Sequence, residues 1–63
     1  MTKYAVGEIV ESVGGFFKHG IVLKVDKDIL TIRWTQDVRN GITRDIDFVQ
    51  EISADIVKLI NRV

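Results

Sequence analysis

The chain has 63 residues, with nine Lys plus Arg against nine Asp plus Glu, one His, no Cys and no Pro. This excludes a disulfide framework and a cysteine-built metal centre, and it leaves no basic arm or acidic tail to mark an oppositely charged partner. A chain this short buries only about 60% of its unfolded surface, so self-association is the one aid to stability left once disulfides and metal are set aside. There is no secretory apolar region and no apolar run near the ~18 residues of a membrane span, so the expected setting is soluble and cytoplasmic, with no membrane partner.

The apolar residues are β-rich in type. Nine Ile and nine Val stand against three Leu and two Ala, and β-branched side chains suit a pleated, half-buried surface better than a helix. A mainly β single domain over residues 1–63 is expected. Residues Val6 to Val13 mix apolar side chains with Glu8 and Glu11 and end at Gly14-Gly15, which reads as a first strand followed by a flexible loop. That loop carries Phe16, Phe17, Lys18 and His19. From Gly20, a plausible bend point, Ile21 to Val25 is almost continuously apolar and forms a second strand. The polar turn Asp26-Lys27-Asp28 leads into a third, in which Leu30, Ile32 and Trp34 share the core face and Thr31 and Arg33 the other.

Asn40-Gly41 is the strongest local signal, because a type I′ turn requires positive φ at both central residues and these two tolerate it. It joins the third strand to a fourth over Ile42 to Val49, with Ile46 and Phe48 inward and Asp45 and Asp47 outward. A strict two-residue loop would set Trp34 opposite Asp47 and Arg33 opposite Phe48, which puts Phe48 on the wrong face. One bulge or a wider loop must correct the register.

The segment from Thr43 onward has a second reading. Ile42, Val49, Ile52, Ile56, Leu59 and Val63 also sit at helical spacing, so residues 43–49 remain open between strand and the start of a long helix. The hairpin turn favours strand. Ser53 is a good N-cap with Asp55 in the first turn, and it predicts a shorter helix from about Ala54 to about Arg62. Its stripe of Ile56, Val57, Leu59, Ile60 and Val63 would need cover from the sheet or from another copy.

The segments Val6-Gly7-Glu8-Ile9-Val10, Lys18-His19-Gly20-Ile21-Val22-Leu23-Lys24-Val25, Leu30-Thr31-Ile32-Arg33-Trp34 and Phe48-Val49-Gln50-Glu51-Ile52 resemble the strand pattern of SH3-like barrels of the KOW and Tudor type. The resemblance covers about residues 5–52 and implies a five-stranded small barrel, with a short C-terminal α-helix over about 53–63. Such barrels serve RNA binding, histone-tail reading, ribosomal architecture and subunit assembly. The terminal helix also resembles the layout of small archaeal chromatin proteins, which are strongly basic where this chain is neutral.

These functions separate on their chemistry. A methyl-ligand cage needs several aromatic faces converging on a cation. Phe16, Phe17 and Trp34 lie near the family's cage positions, but Trp34 falls on the inward face and the loop from Thr35 to Gly41 adds no aromatic. Nucleic-acid binding could use Lys18, Lys24, Arg33, Arg39 and Arg44 beside a stacking phenylalanine. The sequence pI near 6.5 and the interleaved Asp26, Asp28, Asp37, Asp45 and Asp47 weigh against a phosphate-neutralising surface. Asp37, Asp45 and Asp47 are placed to pair with Arg39, Arg44 and Arg33 across the hairpin. No nucleophile with an oriented base is present for catalysis, and His19 is expected to shield a loop backbone. Val49-Gln50-Glu51-Ile52 shares only its first two residues with the Val-Gln-Ile-Tyr pore motif of plasmid-borne dihydrofolate reductases, a tetrameric barrel it otherwise resembles.

The expected function is therefore a non-catalytic protein-interaction or assembly module, with an accessory or regulatory role in a compact phage or bacterial genome. It binds another protein or a second copy of itself through Phe16, Phe17, Lys18, His19 and Arg39. The alternative is a nucleic-acid-binding barrel of transcription, translation or chromatin-like function, working through Lys18, Lys24, Arg33, Arg39 and Arg44. No cofactor, metal or small-molecule substrate is expected. Surplus apolar side chains, Val13, Phe16, Phe17, Leu23, Ile29, Val38, Val57 and Val63, support the first reading.

Overall fold

The computed structural model describes residues 4–61. They form one antiparallel sheet of five strands: β1 (Ile9–Ser12), β2 (Phe17–Asp26), β3 (Ile29–Arg39), β4 (Ile42–Ser53) and β5 (Val57–Asn61). The strand order is β4-β3-β2-β1-β5. Consecutive strands from β1 to β4 pair with one another, as short turns favour, and β5 returns to the far side of β1. The pairings form an open series with β4 and β5 at its edges, where the sequence reading expected a closed barrel.

Turn chemistry sets the two hairpins. Asn40 and Gly41 both have positive φ, 51° and 76°, and Arg39 pairs with Ile42 across them, which is the two-residue turn the sequence specifies. At the other end Asp26 pairs with Ile29 around Lys27, whose φ is 55°. The register behaves as the hydrophobic pattern demands. Gln36 faces Asp45, but Trp34 faces Phe48, so Ile46 and Asp47 together oppose Thr35. This bulge returns Phe48 to the side of Trp34 and leaves Arg33 opposite Val49.

The core gathers side chains from every strand: Val10, Val22, Leu30, Ile32, Trp34, Ile52 and Val57. Leu30, Ile32 and Trp34 are fully buried and Arg33 is exposed, so the alternation read from β3 holds residue by residue. Tyr4, Phe17, Val25, Ile46 and Ala54 pack against the cluster. Tyr4 ties the start of the chain to β5 by donating its hydroxyl to the Val57 carbonyl at 2.9 Å. Burial, then the neighbouring Glu8 carboxylate, push its phenol above the usual value. Glu8 is itself buried, and its Oε1 accepts from the Ala5 amide at 2.7 Å.

Three expectations are corrected. The C-terminal helix is absent over the described residues: Ala54–Ile56 make one 3-10 turn and Val57–Asn61 is a strand, while Arg62 and Val63 lie outside the described residues. Ser53 does cap that turn, its Oγ accepting from the Asp55 amide at 3.3 Å. An isolated helix of this length is marginal. Pairing Ser12 with Val57, Glu11 with Lys58 and Val10 with Leu59 satisfies the backbone and buries Val57 instead. Second, the helical reading of residues 43–49 is replaced by β4. Third, the loop after the first strand is shorter than expected. Phe17, Lys18 and His19 belong to β2, and β1 shrinks to four residues, with Gly7 and Glu8 still bonded through their backbones to Val22.

Candidate functional site

The start of β2 and the end of β3 bring two of the expected contact residues, Phe16 and Arg39, together. The Val38 amide donates to the Phe16 carbonyl at 2.7 Å, which holds the Phe16 segment against the β3 strand end. The Arg39 guanidinium carbon then lies 4.7 Å from the centroid of the Phe16 ring. Phe16 is 54% exposed, so one face of an aromatic ring and a cation are presented together to solvent, an arrangement enriched where proteins meet.

Next to it runs an aromatic row. Phe17 stacks on Trp34 with centroids 4.9 Å apart and on Phe48 at 5.8 Å. The row grades from a fully buried Trp34 through a half-buried Phe17 to Phe48, 46% exposed. Phe48 thus lies on the core side as expected but at its rim. Phe17 belongs to the wall of the core more than to the surface. Trp34, being buried, offers no face to a methylated ligand.

Lys18 is exposed, whereas His19 is half-buried and committed to structure. The Thr35 hydroxyl donates to the His19 carbonyl at 3.2 Å. Its oxygen is then left to accept from the His19 Nδ1–H, 2.8 Å away. His19 therefore straps β2 to β3 by a bond between two side chains, and that ring nitrogen is removed from partner contact.

The arginines of the alternative reading are largely neutralised by carboxylates. Arg33 makes a two-point contact with Asp47, Nε to Oδ1 at 2.9 Å and Nη2 to Oδ2 at 3.2 Å. Arg44 grips Asp37 in the same way at 3.1 and 2.8 Å, and Arg39 lies 3.8 Å from Asp37. Two of the expected pairs, Arg33 with Asp47 and Arg39 with Asp37, are present; Arg44 chooses Asp37 over Asp45 because the two stand directly opposite in the ladder. Lys24 is exposed opposite Thr31, well down β2 from the others. Among the described residues no group of three His, Cys, Asp or Glu could hold a metal ion, and no helix is long and apolar enough to cross a membrane.

Asp37 is the one buried carboxylate of this end of the sheet. The hydrogen bonds from Arg44 hold its pKa below the usual carboxylate range; burial opposes this, and the charges of Arg44 and Arg39 add to the lowering. A lowered native pKa contributes stability in full above the unfolded value of about 4, and that contribution is lost as pH falls through the native value. The urea midpoint of the wild type should therefore fall more steeply than that of Asp37→Asn below roughly pH 4. Parallel acid limbs for the two proteins would contradict the assignment.

The apolar surface is only partly the one expected. Val13, Phe16, Leu23 and Ile29 are exposed as the surplus argument supposed, but Val57 is core and Phe17 and Val38 are half-buried. Val63 lies outside the described residues. Ile42, Val49, Ile56 and Ile60 are exposed and were not anticipated. Ile56 and Ile60 were assigned to a helix stripe. Val49 could have been found from the alternation of β3, since its ladder partner Arg33 was already placed on the outer face.

Comparison with known families, curated proteins and solved structures finds no match to this chain.

Proposed function

We propose that this protein is a non-catalytic protein-interaction module built on an SH3-like small barrel, with the Phe16–Arg39 pair as its contact surface. The five-strand antiparallel order and the single core fed by every strand support the barrel reading. The observation that carries the functional reading is the exposed Phe16 ring held beneath Arg39. An aromatic ring and an arginine side by side are the residue types that dominate binding energy at protein interfaces. The pairing of Arg33 and Arg44 with Asp47 and Asp37 argues for a protein partner over a nucleic acid, because paired cations release few counterions on meeting phosphate.

Phe16→Ala tests this cleanly, since the ring is half outside the core. The double change with Phe17→Ala does not, because Phe17 stacks on Trp34 and its loss would disturb the fold. Selection from a displayed random-peptide library on the wild-type protein should enrich a recurrent peptide class, and Phe16→Ala should weaken binding of that class by tenfold or more, as loss of a central aromatic does, with an unchanged amide spectrum elsewhere. No enrichment, or enrichment indifferent to Phe16, would contradict the site.

A further inference from the structure

Strand β4 lies at the edge of the sheet and pairs with β3 alone, so alternate residues along its length of 12 present backbone N–H and C=O groups to the outside. It contains neither proline nor lysine, the residue types that most often block such an edge. We propose that this edge binds an extended cationic segment of another protein. The segment adds to the sheet as a sixth, antiparallel strand, with Lys or Arg opposite Asp45, Asp47 and Glu51 and apolar residues beside Ile46 and Phe48.

Two hydrogen bonds fix which backbone groups are free. The Ala54 amide donates to the Asp28 carbonyl at 2.8 Å, one residue outside the Ile29–Ser53 pair. That pair is therefore not itself hydrogen-bonded, and the alternation of an antiparallel ladder makes Leu30–Ile52, Ile32–Gln50 and Trp34–Phe48 the bonded pairs. At the other end the Val38 amide donates to the Phe16 carbonyl, just outside the Phe17–Asp37 pair, so Asp37 turns its own backbone groups to β4 and bonds Arg44. The two-residue turn bonds Arg39 to Ile42 in the same phase. Ile42, Arg44, Phe48, Gln50 and Ile52 thus direct their backbones to β3. Thr43, Asp45, Asp47, Val49 and Glu51, alternating with them, direct theirs to the free edge, where no described residue bonds to them.

The two faces of this edge differ in chemistry. Opposite the bulge β3 breaks its alternation at Thr35, since Trp34 and Asp37 are both buried and Phe17, the partner of Asp37, stacks on Trp34. β4 keeps its own alternation. Ile46 packs on the core, Phe48 stacks on Phe17 and Ile52 is buried, so the even-numbered residues share the core face. Asp45, Asp47, Val49 and Glu51 share the outer face, and all four are exposed. The Asp47 side chain stays 69% exposed while it holds Arg33, and Asp45 and Glu51 form no ion pair among the described residues.

Charge selects the occupant. In an antiparallel pairing of two copies about a two-fold axis, residues with outward backbones oppose one another. Centring that pairing on any residue from Asp45 to Val49 sets two of the carboxylates at 45, 47 and 51 directly opposite, or one opposite itself, and like charges so placed destabilise a sheet. A strand with cations at those positions makes opposite-charge pairs instead. Its intervening side chains point to the core side, where they meet Ile46 and the 46% exposed Phe48. Main-chain bonds then supply affinity and the alternate side chains specificity, as in strand addition generally. This goes beyond the Phe16–Arg39 reading and uses a different part of the sheet.

The probe is a capped peptide, Lys-Thr-Val-Ile-Lys-Val-Lys. Laid antiparallel along Glu51 to Asp45, it sets its lysines opposite Glu51, Asp47 and Asp45, its Ile beside Phe48 and its second Val beside Ile46. Hydrogen exchange followed amide by amide on the full chain should show new protection at Asp45, Asp47, Val49 and Glu51, with little change at Arg44, Phe48, Gln50 and Ile52, whose amides are already bonded to β3. The same peptide with Glu for every Lys should bind about tenfold more weakly or worse, and so should the Lys peptide to Asp45→Lys with Glu51→Lys, two exposed changes that leave the core intact. Phe16→Ala should leave this binding unchanged, so failure here and failure of the Phe16 surface are told apart. Equal binding of the Lys and Glu peptides, protection centred on Phe16 and Arg39, or no binding at millimolar peptide would overturn the proposal. Protection of the same amides that rises with protein concentration alone would give the edge to a second copy and overturn it as well.

Discussion

Trp34→Ala is expected to destabilise the protein by about 3 to 5 kcal/mol, the usual cost of removing a fully buried large aromatic. A domain of this length has about 3 to 9 kcal/mol in total, so much of the population should unfold at room temperature. The physical reason is that Trp34 serves three neighbours at once. Its ring stacks on Phe17, its Nε1–H donates to Gln50 Oε1 at 3.1 Å, and its six-membered ring covers the backbone at Gly20. Deleting it leaves a cavity at the centre of the sheet and releases Phe17, and with it Phe48, from their stack. Urea unfolding followed by far-UV circular dichroism measures the loss. A change under about 1 kcal/mol, the range of ordinary surface substitutions and small repacking, would show that Trp34 is not the centre of the core.

Gly20→Ala is the second large effect, expected to cost about 1 to 3 kcal/mol or more by overpacking. A Cβ at this position would lie 2.5 Å from Trp34 Cε3 and 2.6 Å from Ile32 Cγ2. Gly20 is not among the glycines with positive φ, so backbone strain contributes nothing and the cost is steric. Its partners in the ladder, Trp34 on one side and Val10 on the other, are both buried, so the added methyl has no solvent side to escape to. The same change in a Trp34→Leu background should cost less, because the indole atoms it meets are gone. Equal costs in the two backgrounds would rule out the indole as the obstacle.

The parts of the fold visible in the sequence were those set by local chemistry. Asn40-Gly41 specifies a type I′ turn through its tolerance of positive φ, and Leu30, Ile32 and Trp34 announce their face by strict alternation. Together these two signals required a bulge or a wider loop before Phe48, and Ile46-Asp47 supplies the bulge. What was not visible was set by pairing between distant segments. Ile56, Val57, Leu59, Ile60 and Val63 fit a helix stripe as well as a strand. Only the presence of β1, more than 40 residues earlier, makes Val57–Asn61 a strand. Phe17 failed for a related reason. Two adjacent phenylalanines after a glycine pair look equivalent, yet the β2–β3 register sends Phe17 to Trp34 and leaves Phe16 to Arg39. Asp37 was expected on a solvated face, and is buried because two arginines close over it.

The measurement closest to the proposed function is an isotope-labelled amide spectrum recorded during titration with short duplex DNA and with single-stranded RNA, at low and at moderate salt. If Phe16 and Arg39 form a protein-binding surface and Arg33 and Arg44 are held by Asp47 and Asp37, any shifts seen at low salt should be small and should vanish at moderate salt. Localised shifts at Lys18, Phe16, Arg33, Arg39 and Arg44 that persist at moderate salt would contradict this, and would make the surface a nucleic-acid-binding face.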